Sequence, residues 1–344
     1  MRVGVSSLVA TPEHVDFVVE AERCGVDSVW VPEMWGQDAL TPLAYLAART
    51  TTIKLATGIA QIGARTPAAL AMAAMSMQLL SDGRFILGLG TSGPQVMEAW
   101  HGLKFRSPVT TTRETIEIVR AVARGERLIY DGDVYKLPLP GGAGRPMRTM
   151  LAPSEVPIYV AALGPLNLRM TGELADGWIG NAFVPERAEV FLREIASGAL
   201  AAGRSLADLD LVMPVAVEFT DDVDTAAKRH SRGYAFTIGA MGSRDHNFYT
   251  AAFERQGFGD DVRAVQELWL AGRKEEAEER VPVELGLKTN LLGTPEMVKA
   301  RLRVYRDAGI NTIQMKPSGD SRRAIEDAAQ LVELVQEVNR ESEA

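Results

Sequence analysis

Short β-branched runs alternate with helix-start signals through the first ninety residues, and few folds are open to a chain patterned this way. Arg2 to Ser7 reads as a strand. Thr11 then offers an N-cap with Pro12 at the first helical position, apolar residues recur at Val15, Val18, Val19 and Ala21, and Gly25 closes the helix. Ser28 to Val31 reads as the second strand, Thr41-Pro42 opens another helix, and Ile53 to Ile59 is the third strand. Thr66-Pro67 opens a long Ala- and Met-rich helix, and Phe85 to Leu89 is the fourth strand. Strand and helix in strict alternation imply a parallel sheet, because each parallel pairing needs a crossover that a helix supplies.

Later strands at Ile158 to Ala162, Trp178 to Gly180, Leu211 to Phe219 and Thr312 to Met315 bring the count to the eight that closure requires. Helices at Glu186 to Ala202 and Pro295 to Ala308 fall between them. The expected fold is a (β/α)8 TIM barrel, one domain over residues 1–344. Insertions near 137–157 and 221–290 are expected in strand-to-helix loops, where function concentrates. The stripe Met72, Met75, Met77 is read as core packing and the Glu-rich run Lys274 to Arg280 as a solvated helix face.

Charge and composition narrow the partners. Lys and Arg number 37 against 45 Asp and Glu, a net charge of −8, and no basic cluster offers a grip on a phosphate backbone, so nucleic acid is excluded as a partner. The single Cys24 and four histidines form no metal-spaced cluster, and no metal site is expected. Glu13 interrupts any signal-peptide core. The longest uncharged run, Thr66 to Ser81, is shorter than the roughly 18 residues of a membrane helix, so a cytoplasmic protein acting on a small molecule is expected.

Four segments could carry chemistry. Gly88-Leu-Gly-Thr-Ser-Gly93 matches G-x-G-x-x-G, but the nearest following acid, Glu114, falls inside a predicted helix, which argues against a dinucleotide fingerprint. The loop reads either as a phosphate cradle built from Gly93, Thr91 and Ser92 or as a tight turn. Ala161-Ala-Leu-Gly-Pro165 repeats the design, and on a barrel both loops lie at the C-terminal face, where they can converge on one phosphate. Thr57-Gly58-Ile59 suggests a bulge or a close approach by a ligand. Glu33 and Trp35 follow strand two on that same face: a carboxyl desolvated by indole can exchange protons, while the plainer alternative is a capping or salt-bridging glutamate. His101 reads as a proton-transfer group or as a packing residue. His14, His230 and His246 receive no role, and Gly239 to Gly242 with Asn247, Phe248 and Tyr249 are placed as possible pocket lining from the insertion.

In order along the chain, Ser28-Val-Trp-Val-Pro-Glu33, Thr57-Gly-Ile59, Phe85 to Gly93 with Trp100-His-Gly102, and Ala161 to Pro165 with Ala175-Asp-Gly-Trp178 resemble the bacterial luciferase-like superfamily. The match is narrower to its branch dependent on coenzyme F420, the 8-hydroxy-5-deazaflavin hydride carrier. The resemblance implies a barrel binding the deazaflavin at the C-terminal ends of its strands. Gly58 and Ile59 would form a bulge, often with a non-proline cis peptide, behind the ring. Thr91, Ser92 and Gly93 would hold the phosphate and tail, with Ala162, Leu163 and Gly164 beside them. It also implies a homodimer through early barrel helices. Relatives that oxidise sugar phosphates or alcohols carry Asp-His where this chain has Glu33-Met34, so the resemblance favours hydride-transfer reduction of a double bond or carbonyl, with Glu33 or water handling the proton. A reduced-FMN-dependent two-component monooxygenase and a non-enzymatic flavin-binding protein are the alternatives.

Overall fold

The computed structural model describes residues 1–241 and 247–343. Its strands are β1 (Arg2–Ser6), β2 (Ser28–Val31), β3 (Lys54–Thr57) with the short continuation β4 (Ala60–Gln61), β5 (Phe85–Gly90), β6 (Tyr130–Asp131), β7 (Lys136–Leu137), β8 (Ile158–Ala161), β9 (Gly177–Ile179), β10 (Asp210–Phe219), β11 (Leu291–Gly293) and β12 (Thr312–Lys316). Pairing runs β10, β12, β1, β2, β3, β5, β8, β9, all parallel, and β9 returns to β10 to close an eight-stranded barrel. The outer layer holds α1 (Pro12–Arg23), α2 (Leu40–Ala47), α3 (Pro67–Leu80), α4 (Pro94–Ala99), α5 (Pro108–Ala123), α6 (Pro165–Leu174) and α7 (Glu189–Ala201). Six helices follow among the described residues of the long insertion: α8 (Val223–Arg232), α9 (Tyr234–Ala240), α10 (Phe248–Phe253), α11 (Gly259–Leu270), α12 (Lys274–Arg280) and α13 (Val283–Lys288). α14 (Pro295–Asp307) and α15 (Ser321–Glu343) complete the ring.

The predicted caps form. Thr11 and Thr66 accept the backbone N–H groups of His14 and Ala69, each ahead of a proline at the first helical position. α2 begins at Leu40 rather than Thr41, because Asp38 Oδ1 accepts both the Leu40 and Thr41 N–H groups. The third strand breaks at Gly58-Ile59 instead of running through it, and β4 then pairs only with β5.

Of the two expected insertions, 221–290 lies in a strand-to-helix connection, but 137–157 does not. It follows α5 and the β6–β7 hairpin and leads into β8, a helix-to-strand connection at the opposite end of the barrel from the strands' C-termini. Glu114 anchors that hairpin by accepting backbone N–H groups of Asp133, Val134 and Tyr135. The segment is therefore scaffolding, which sequence composition does not distinguish from an active-face loop.

Alternation along each strand sorts side chains into two cores. Outward residues such as Val3, Val29, Leu55, Leu87, Val160, Trp178, Met213 and Ile313 pack under the helices. Inward residues Trp30, Ala56, Ile86, Tyr159, Ile179 and Val212 fill the lumen. Glycines opposite the two rings make the room: a Cβ on Gly4 would lie 2.9 Å from Trp30 Nε1, and one on Gly177 2.7 Å from the Tyr159 ring. Below them Asp210 is hydrogen-bonded by Arg2 and by the Tyr159 hydroxyl, closing the barrel floor.

Candidate active site at the C-terminal face

Three non-glycine residues held at positive φ, Val9 (42°), Ser92 (56°) and Ala182 (49°), follow β1, β5 and β9 at the strands' C-terminal end. Such conformations carry strain of about 1–3 kcal/mol each and gather where a ligand must be met. This end of the barrel is the candidate site.

β5 and β8 are neighbours, in register Gly88 with Tyr159 and Leu89 with Val160, so their outgoing loops lie side by side. Thr91, Ser92 and Gly93 are half-buried there. A Cβ on Gly93 would meet only Gln95 Oε1 at 3.5 Å and one on Gly164 nothing within 4 Å, so the backbone at both points is open to close approach. α6 has no side-chain cap at Gly164, which leaves its first N–H groups for a ligand oxygen. Leu163 is half-buried, and its carbonyl accepts from Arg255 Nη2 at 2.6 Å, so the insertion clamps this loop. Ala162 differs from its predicted part: its methyl is packed in the outer core and its carbonyl accepts the Trp178 indole N–H at 2.9 Å, so it shapes the loop from behind.

The bulge is present. The Gly58–Ile59 peptide is cis, Gly58 N–H donates to Val31 O at 2.8 Å, and Ile59 reaches across to Gly90, where a Cβ would stand 2.7 Å from Ile59 Cδ1. Ile59, Gly90 and Ala161 give this half of the mouth an apolar wall.

Glu33 is buried, but it meets a cation rather than an indole. Arg65 Nη1 lies 2.8 Å from its Oε1 and 3.0 Å from its Oε2, and Oε2 also accepts Gln61 N–H at 2.9 Å. This is the salt-bridging arrangement. Trp35 and its neighbour Met34 are each about half exposed on the rim, at 50% and 51%. Nearby Asp38 is pushed up by burial, but its bonds from Thr41 and Leu40 and the charge of Arg65 outweigh this and hold it below the ordinary range.

His101 joins the same network. Gln61 Nε2 donates to Glu33 O at 3.1 Å, which turns Gln61 Oε1 toward His101 Nε2 at 2.8 Å. An amide oxygen can only accept, so His101 donates from Nε2, which leaves Nδ1 as the ring nitrogen outside this contact. Arg65 and Gln61 escaped the sequence reading because register, not spacing, brings them to Glu33. Asn247 is a helix cap, accepting from the Tyr249 and Thr250 N–H groups and donating to Ile238 O. Gly242 and His246 lie outside the described residues. His230 pairs with Glu218 at 2.9 Å. Among the described residues no group of three or more His, Cys, Asp or Glu could hold a metal ion, and no helix is long and apolar enough to cross a membrane.

The chain is similar to known proteins in sequence and in fold. Residues 2–312 match the family model for luciferase-like monooxygenases. A Mycobacterium tuberculosis protein provisionally named a coenzyme F420-dependent oxidoreductase is 37% identical over 96% of this chain and 98% of its own. A 5,10-methylenetetrahydromethanopterin reductase of Methanolobus tindarius is 32% identical over 85% of this chain and 86% of its own. Among solved structures, the coenzyme F420-dependent tetrahydromethanopterin reductase of Methanopyrus kandleri superposes with a TM-score of 0.79 at 25% identity, covering 96% of this chain and 98% of that one.

Proposed function

We propose, starting from the fact that the chain belongs to the luciferase-like monooxygenase family, that it is an oxidoreductase exchanging hydride between coenzyme F420 and a small organic substrate. The observation that carries this is the 37% identity, across nearly the whole chain, to a protein named for that coenzyme. The residues present fit it. The glycine-floored loops at Gly93 and Gly164 admit a phosphate without steric opposition, and the Ile59–Ala161 wall suits a flat aromatic ring.

When bound, the deazaflavin supplies the hydride-carrying carbon. The chain's own part is binding and proton handling. Thr91, Ser92, Gly93, Leu163 and Gly164 would hold the phosphate and tail by backbone N–H and hydroxyl donors, and Gly58 and Ile59 would back the ring. Trp35 walls the rim. Glu33, with its oxygens committed to Arg65 and Gln61, positions the amide of Gln61, and through it His101, whose Nδ1 is the atom that takes or returns the substrate proton. In this division Glu33 is a positioning residue, and the proton is handled in whichever direction hydride moves.

A homodimer is part of this proposal. Met75 and Met77 enter the core as expected, but Met72 does not: with Tyr45 on α2 and Leu79 and Leu80 on α3 it is 53–64% exposed, an apolar set on two early helices that a second copy would cover. Two measurements test the reading. In fluorescence titrations F420 binds at least tenfold tighter than FMN; equal binding, or FMN alone, moves the assignment to a reduced-FMN monooxygenase. Light scattering at micromolar concentration gives a dimer mass, and a monomer removes the dimer from the proposal.

A further inference from the structure

The mouth of the barrel is apolar beside β3, β5 and β8 and polar beside β1, β10 and β12. Ser6, Gln314 and Lys316 all occupy inward positions, since Gly4 pairs with Gln314, Pro214 with Gln314 and Ala216 with Lys316 in the register that points Val212 into the lumen. Ser6 and Lys316 line a cavity of about 350 Å³, with Ser7, Leu8, Pro32 and Pro317 among its other walls.

Lys316 on the cavity wall and Gln314 behind Ser6 each carry a polar group with no protein partner among the described residues. Gln314 is 5% exposed. Its Nε2 donates to Ser6 Oγ at 2.7 Å, while its Oε1 is buried with no donor. A buried acceptor left so is unfavourable, and a ligand N–H or O–H would satisfy it. Lys316 makes no ion pair among the described residues. Lys316 is an exposed residue of the cavity wall, and the protein packed around its side chain pushes it below the ordinary lysine range with no carboxylate to offset that. The acids nearby are committed: Glu218, two residues beyond the position opposite Lys316, is held by Arg229 and His230, and Asp320 on the cavity wall accepts the Arg323 N–H at 2.9 Å.

We propose that Lys316 and Gln314 form the recognition end of the substrate subsite, and that the substrate is a small organic acid whose carboxylate pairs with Lys316 and whose adjacent O–H or N–H donates to Gln314 Oε1. This deepens the oxidoreductase reading and rests on it for the word substrate. Two residues apart on one strand face, the groups are about 7 Å apart at their backbones, which limits the ligand's polar end to a few atoms.

The test titrates the protein by calorimetry, with and without bound F420, using lactate (carboxylate and hydroxyl), propionate (carboxylate alone) and methyl lactate (hydroxyl alone). Lactate should bind best, propionate about three- to tenfold weaker and methyl lactate at least tenfold weaker. Lys316→Met should remove the preference for lactate over methyl lactate while Lys316→Arg keeps it, and Gln314→Leu should remove the preference for lactate over propionate. Equal binding of all three probes to the wild-type protein overturns the proposal with no variant needed. So does a Lys316→Met protein that keeps the anion preference, or one that loses F420 affinity instead, since the cation would then serve the coenzyme. The probe series run without F420 stands even if F420 fails to bind, so failure of the coenzyme assignment is read separately.

Discussion

Exchanging Glu33 for glutamine changes one oxygen to an NH2 group and removes one charge, and the structure says where both losses fall. The carboxylate takes three polar contacts: Arg65 Nη1 at 2.8 and 3.0 Å and Gln61 N–H at 2.9 Å. In Glu33→Gln the amide oxygen can keep one of them, while the new NH2 faces the guanidinium donor to donor. A hydrogen bond to a charged group is worth about 1.5–3 kcal/mol, and breaking a buried ion pair costs about 3–5. Here the Arg65 side chain is 21% exposed and has Asp38 at 3.8 Å as a second partner, which lowers the figure. We expect a loss of about 2–3 kcal/mol, or about 3–4 °C in melting temperature for a chain of this length. Arg65→Met should cost a similar amount by leaving Glu33 buried and unpaired. The double variant should cost less than the sum by about 1.5–2 kcal/mol, read from denaturant unfolding of all four proteins. Because Gln61 is two residues from Ile59, F420 affinity should fall in the same order. A coupling energy below about 0.5 kcal/mol, with stability unchanged in Glu33→Gln and turnover abolished, would refute the positioning role and return Glu33 to direct proton exchange.

Gly93→Asp should leave melting within about 2 °C of wild type, since a Cβ there meets only Gln95, yet abolish F420 binding in fluorescence titration by placing a carboxylate against the phosphate. Gly88→Ala should do the reverse and destabilise the fold, because its Cβ would stand 2.0 Å from Thr57 O. For Glu22, burial pushes the carboxyl up, but the N–H bonds from Thr52, Ile53 and Thr51 outweigh this and hold it below its ordinary value. Its stabilisation is therefore present above the unfolded glutamate pKa and lost as pH falls through the lower folded value. The gap in denaturant stability between wild type and Glu22→Gln should be largest near neutrality and close in acid; a gap independent of pH would contradict this.

The barrel was legible because its signals are local. Thr11-Pro12 and Thr66-Pro67 announce helices within three residues, and β-branched runs between them announce strands. The motifs on the active face were legible for the same reason, as glycines and prolines at strand ends. What the chain hid depends on register. Arg65 reaches Glu33, Gln61 orders His101, and Gln314 meets Ser6 only after the strands are laid side by side. The 137–157 segment was misplaced because order along the chain does not reveal which end of a barrel a connection crosses. Asp38 was missed as the cap of α2 because Thr41-Pro42 carries the louder signal three residues later.

The lumen offers a handle of another sort. Trp30 and Tyr159 occupy space that Gly4 and Gly177 vacate, so the height of the floor under the mouth is set by two side chains and not by the course of the backbone. Depth and rim are thus separable in this architecture. Trimming a ring would sink the floor while the loops at Gly93 and Gly164 stay where they are, and a bulkier guest could then be admitted without rebuilding the walls that grip it. That adjustment is carried here by two residues of the strands themselves.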